Sequence, residues 1–167
     1  MNLNNIPFGE LEAFNVVVET PKGSTEKYAY EPELGAIKVS RVLYDGLAFP
    51  FNYGFVARTE TYDGGFLDAF VISTHPITTG TIVTCRAVGM LEFMDEGKQD
   101  HKIIAVPLSD ERLNNLQEIG DLSASDKELV ASFYSQAAKQ WSRDMQIQGF
   151  ADKSKAKKEL LRTQILD

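Results

Sequence analysis

The 167-residue chain carries 17 lysines and arginines against 24 aspartates and glutamates, for a formal net charge of −7. Its 43% hydrophobic and 25% charged residues are ordinary for a soluble globular protein, and its length buries a core without covalent staples. The negative balance argues against a nucleic-acid surface, where lysine and arginine must neutralise phosphate, and the single Cys85 excludes an intrachain disulfide or a zinc cluster.

Residues 1–12 read as an irregular lead-in. Phe14 to Thr20 is valine-rich and predicts a strand that ends before the turn from Pro21 to Thr25. Lys27 to Glu31 alternates with period two, which places Lys27, Ala29 and Glu31 on one face. Ala36 to Val39 continues this hairpin pattern, and Arg41 follows. Ala48 to Tyr53 contains Pro50 and Asn52 and predicts a loop in spite of its aromatics.

The segment from Tyr62 to Val71 places two carboxylates around a glycine turn. Asp63 with Gly64 and Gly65 is turn chemistry, whereas Asp68 interrupts Phe66, Leu67, Ala69, Phe70, Val71 and Ile72, an otherwise buried strand. A buried carboxylate is costly unless a cation, a metal or donors stand beside it, so Asp68 either has such partners or points outward from an edge strand. Thr81 to Phe93 and Lys102 to Val106 predict two more strands, with an acidic segment, 95–100, between them. Short strands punctuated by turns predict a small antiparallel barrel.

From Ser109 the pattern becomes helical. Ser125 with Glu128 reads as a capping box, and Leu129, Val130, Phe133, Ala137 and Trp141 share one face of the helix it opens. Lys153 to Leu166 is a second, charged helical pattern with Ala156, Leu160, Leu161 and Ile165 on one side. The expectation is one α+β domain over residues 1–167, with helices packed on a barrel. No apolar run approaches the roughly 18 residues of a membrane span, and no leader pattern opens the chain, so a cytoplasmic protein is expected.

Glu19, Asp63, Asp68, Asp95 and Asp100 fall at strand ends or turns, and Lys27, Arg41 and Lys102 occupy comparable positions. Several carboxylates suit a hard cation such as magnesium, and magnesium ringed by lysine and arginine is the recurring kit of phosphoryl transfer. The bland reading of any one of these acids is a solvated surface. His75 and His101 read as structural or surface residues, and Gly64-Gly65 opens no helix, so it is no phosphate loop. Among Phe49, Phe51, Tyr53 and Phe55, only the tyrosine hydroxyl offers chemistry.

These residues resemble the soluble family I inorganic pyrophosphatases. The family signature is three spaced aspartates followed by apolar residues, and here it reads Asp63-Gly64-Gly65-Phe66-Leu67-Asp68-Ala69. Further matching pieces are Glu19 before a proline loop, Lys27-Tyr28, Arg41, Pro50 to Phe55, Cys85 to Gly89, Asp95-Glu96, Asp100 to Lys102 and Ala105-Val106-Pro107. The resemblance implies an OB-like five-stranded barrel, Mg2+-dependent cleavage of pyrophosphate (Mn2+ being an alternative) and, for bacterial members, a homohexamer. It also implies that Asp63, Asp68 and Asp100 hold the tightest metal, with Asp95 helping at the metals that arrive with substrate. Lys27, Arg41, Tyr53 and Lys102 would contact phosphate, and Glu19 would act through metal-bound water.

The chain departs from that pattern at five positions. Gly65 stands where the family has its middle signature aspartate, Ala29 replaces a glutamate, and Phe49 a tyrosine. Ala137 and Ala138 stand where a tyrosine and a lysine are expected. The resulting reading is a pyrophosphatase of weakened activity. The alternatives are a non-catalytic protein that binds metal, pyrophosphate or a nucleotide, and a hydrolase of another phosphoanhydride.

Overall fold

The computed structural model describes residues 2–166; Met1 and Asp167, the ends of the expected 1–167 domain, lie outside the described residues. The first strands are β1 (Gly9–Glu10), β2 (Ala13–Thr20), β3 (Glu26–Glu31), β4 (Ala36–Val42), β5 (Asn52–Val56) and β6 (Asp68–Val71). After them come β7 (Ile82–Asp95), β8 (Lys98–Gln99), β9 (Lys102–Pro107), helix α1 (Ala124–Trp141), β10 (Met145–Ala151) and helix α2 (Lys153–Thr163). Among these, β2, β5, β6, β9 and β7 pair in that order, and β7 pairs again with β2, closing a five-stranded barrel. Closure leaves few exposed edges for other chains to pair with. β3 and β4 form a separate hairpin.

The α+β, OB-like barrel expected from the sequence is therefore present, with one correction. Four seams are antiparallel, but β6 runs parallel to β9, with Asp68 opposite Lys102 and Val71 opposite Ala105. Strand β7 serves four partners, β2, β8, β9 and β10, because it is 14 residues long and its register with β9 shifts between Ala87 and Gly89, a bulge that bends it around the barrel.

Three further readings change. The expected loop at 48–53 stops at Phe51, and Asn52–Val56 is a fully buried strand. Its polar look has structural causes. The Asn52 side chain accepts from the amides of Lys22 (2.9 Å) and Ile77 (2.8 Å) and donates to the carbonyl of His75 (3.2 Å). Gly54 lies so close to β2 that a Cβ there would sit 1.9 Å from the Val17 carbonyl oxygen. Second, the helical half contains β10, which extends the barrel sheet alongside β7. Third, α1 is capped by Ser123 rather than Ser125, its hydroxyl accepting from the Asp126 amide at 3.0 Å.

On α1, Val130, Phe133, Tyr134 and Ala137 are buried, while Leu129 is half exposed. Phe133 packs 4.6 Å from Phe49, and Tyr134 packs 4.4 Å from Phe93, centroid to centroid. Ala156 and Leu160 of α2 bury against Phe14, Leu67 and Ile103 on another side of the barrel. No helix among the described residues is long and apolar enough to cross a membrane.

Candidate active site

The parallel seam builds the floor of the site. Register sets Asp68, the first residue of β6, against Lys102, the first of β9. The Lys102 ammonium donates to Asp68 Oδ2 at 2.7 Å and to Asp100 Oδ2 at 2.6 Å. The Tyr53 hydroxyl on β5 donates to the same Asp68 oxygen at 2.7 Å, and Tyr134 of α1 is hydrogen-bonded to Tyr53. Asp68 is thus not on an outward-facing edge: its strand lies between β5 and β9, and its interruption of an apolar run is answered by a cation and a phenol.

Electrostatics follow from burial. The Lys102 side chain is only 3% exposed. Desolvation alone would pull it down, but Asp68, Tyr134 and Asp100 outweigh that and hold it above the ordinary lysine range. Burial, reinforced by Asp68, keeps Tyr53 well above its usual value, so it remains a donor. Burial also raises Asp100, against the pull of Lys102.

Above this floor lies a cavity of about 260 Å³. The hairpin contributes Lys27, Ser40 and Arg41. Lys27 faces Arg41 in register, and a shift just after it leaves Ser40 bulged, which aims consecutive residues at the same space. The barrel contributes Tyr53, Asp95, Asp100 and Lys102; the end of α1 and the residues after it contribute Tyr134, Trp141 and Arg143. Arg143 holds Asp95, with two guanidinium nitrogens 3.0 and 2.9 Å from Asp95 Oδ1. The Lys27 ammonium is pulled below the ordinary lysine range by desolvation.

Of the residues singled out in the sequence, Lys27, Arg41, Tyr53, Asp95, Asp100 and Lys102 line one cavity, and Asp68 joins them through its hydrogen bonds. Glu19 and Asp63 do not line it. Glu19 is buried on β2, accepts from the Tyr30 amide at 2.8 Å, and is pushed up to about 8 by desolvation. Asp63 is exposed on its turn, accepts from the Thr61 hydroxyl and the Gly65 amide, and sits below the usual carboxylate range mainly because of the Thr61 bond. His101 accepts from the Phe93 amide and is structural; exposed His75 lies against Arg112. Tyr134 and Arg143 escaped the sequence reading. Tyr134 shows only as an aromatic on the buried face of a helix, and Arg143 has no local signal, because Asp95 is 48 residues away.

A sequence model of the inorganic pyrophosphatase family matches residues 16–165. The chain belongs to the inorganic pyrophosphatase family. It is 42% identical over 135 residues to an inorganic pyrophosphatase of Thermus thermophilus, covering 80% of this chain and 77% of the relative. A counterpart from Sulfolobus acidocaldarius is 41% identical over 125 residues, covering 74% and 72%. The crystal structure of inorganic pyrophosphatase from Thermus thermophilus superposes with a TM-score of 0.90 at 37% identity, over 96% of this chain and 95% of that one.

Within this pyrophosphatase fold, the five departures have definite surroundings. A Cβ on Gly65 would meet Asp63 Oδ1 at 3.4 Å and Thr61 Oγ1 at 3.8 Å, ordinary contacts, and its φ lies outside the left-handed region that Gly64 occupies at 82°. The glycine at 65 is not demanded by the backbone. Phe49 is buried 5.6 Å from the Tyr53 ring. Beyond Ala29, Glu31 is spent on Lys38 at 3.4 Å, and Lys139, next to Ala138, is exposed. Neither lines the cavity.

Among the described residues, no three histidine, cysteine, aspartate or glutamate side chains are grouped closely enough to hold a metal, and the Lys102 ammonium stands between Asp68 and Asp100. The donor chemistry nonetheless fits a hard divalent cation. The Lys102 contacts use only Oδ2 of Asp68 and of Asp100, and Asp95, which lines the same cavity, also offers oxygen.

Proposed function

We propose that this pyrophosphatase-family chain hydrolyses pyrophosphate to two phosphates with Mg2+, at a rate held down by the missing carboxylate at position 65. The observation that carries this reading is the Tyr53–Asp68–Lys102–Asp100 network opening into a cavity that Lys27, Arg41 and Arg143 also reach. Asp63, Asp68 and Asp100 would hold the tightest cation, with Asp95 and Glu19 contributing. Bound there, Mg2+ supplies charge neutralisation and a more acidic water.

The chain's own groups do the rest. Lys27 and Arg41 approach from the hairpin, Lys102 from the floor, and together they meet the oxyanions of a diphosphate. Tyr53 keeps its proton and donates. A space of about 260 Å³ falls below the roughly 300–1,000 Å³ of pockets for drug-sized ligands, which favours a small inorganic anion over a whole nucleotide. Nor do Ala137 and Ala138 widen the pocket, because Trp141 lines it one turn further on. Losing a general base typically costs ~10²–10⁴ in rate, so slow turnover is expected rather than none.

Phosphate release from pyrophosphate with Mg2+ or Mn2+ is the direct test, and Asp68→Ala should abolish it. Measurable metal and pyrophosphate binding with no release from the wild type would instead make this a binding protein. The same reading places the protein in the cytoplasm as a homohexamer, with neither nucleic acid nor membrane as a partner; sedimentation measures the assembly.

A further inference from the structure

Trp141, the chain's one tryptophan, ends α1 and lines the cavity. The Lys27 ammonium lies 5.5 Å from its ring centroid, and the Arg41 guanidinium carbon lies 5.1 Å from it. These two cations face one another in register on β3 and β4, in a hairpin hydrogen-bonded outside the barrel sheet. The ring is itself fixed, half-buried and packed edge-on against Phe133 at 6.5 Å and 83°. Helical side chains lean toward the N-terminus, so Trp141 covers the surface over Ala137 and Ala138, three and four residues before it.

We infer that Trp141 is a positioning residue for phosphate binding: its ring face orients Lys27 and Arg41 toward the cavity, so an arriving oxyanion meets two cations whose rotamers are already chosen. An aromatic face attracts both a lysine and an arginine through its quadrupole. Long cationic side chains otherwise give up considerable rotamer freedom when they bind. The inference deepens the proposed function and rests on its assignment of this cavity to a diphosphate. Unlike that assignment, it is read through binding rather than turnover.

The test titrates wild type, Trp141→Phe and Trp141→Leu with imidodiphosphate, a diphosphate that resists hydrolysis, in the presence of Mg2+. Trp141→Phe keeps a ring face; Trp141→Leu keeps apolar bulk alone. Trp141→Leu should weaken binding about 10-fold and Trp141→Phe only about 2–3-fold, in line with two cation–π contacts of ordinary strength. KM for pyrophosphate should follow binding while kcat changes little. Wild-type tryptophan emission should change saturably during the titration as the anion binds Lys27 and Arg41 beside the ring, a readout that survives even if Trp141→Leu does not fold. Equal affinities for the leucine and phenylalanine variants, or unchanged emission at saturation, overturn the inference. Binding that is sensitive to Trp141→Leu in a protein releasing no phosphate overturns the proposed function alone.

Discussion

A carboxylate returned to position 65 has room to act. The Cβ of Gly65→Asp would touch Asp63 and Thr61 only at ordinary contact distances, on a turn that is already exposed. If the missing group is a base, phosphate release by this variant should rise by ~10²–10⁴ in kcat, measured by steady-state kinetics with Mg2+ in excess. An unchanged rate would overturn the proposal that the absent carboxylate at position 65 holds turnover down. Lys102→Met should have a different signature: Asp68 and Asp100 lose their shared cation, and stability should fall by roughly 2–3 kcal/mol, less than for a fully buried pair because both carboxylates remain partly exposed. Denaturant midpoints should recover part of that loss when Mg2+ is added. The sequence shows that Asp68 is out of place in an apolar run. It does not show the answer, because Lys102 lies 34 residues away across a parallel seam.

That seam and its neighbour, β5, show where local pattern stops informing. Alternation and β-branching predict β2, β7 and β9 because those strands use their own residues to state a preference. In β5 the residue types point the wrong way. Asn52 reads as a turn former, yet it ties two loops to the barrel; Gly54 reads as a breaker, yet it lets β5 approach β2. Strand β10 has alternating Met145, Gln146, Ile147 and Gln148, but it lies between two stronger helical patterns, and only its pairing with β7 reveals it. Gly54→Ala should therefore be severe. The added Cβ cannot remain 1.9 Å from a carbonyl, so β5 must separate from β2, at about 3 kcal/mol or more. Thermal melting will measure it; a midpoint within a degree of wild type would mean that the barrel yields more easily than its packing implies.

Across the whole protein, the acidic site ties stability to pH. Glu19 is pushed up to about 8 by burial, and Asp100 is raised for the same reason. Between the ordinary carboxylate range and pH 8, the folded chain therefore holds a proton on Glu19 that the unfolded chain releases. Stability is greatest where both states are protonated at that site and falls as pH climbs toward 8, by at most about 1.4 kcal/mol per pH unit. The opposite sense holds on the acid side, where Asp63, Asp110 and Asp121 sit below their usual range and give up their contribution as pH falls. In EDTA, the denaturant midpoint should thus peak in mild acid and decline through neutrality. Glu19→Gln keeps an acceptor for the Tyr30 amide while removing the titration, and it should flatten that decline. Mg2+ should flatten it too, because a cation favours the ionised carboxylates and stabilises the fold by about 2.7 kcal/mol at a hundred times its Kd. A flat profile from pH 5 to 8 in EDTA would mean that Glu19 ionises in the folded chain as it does in water, and that burial does not hold its proton.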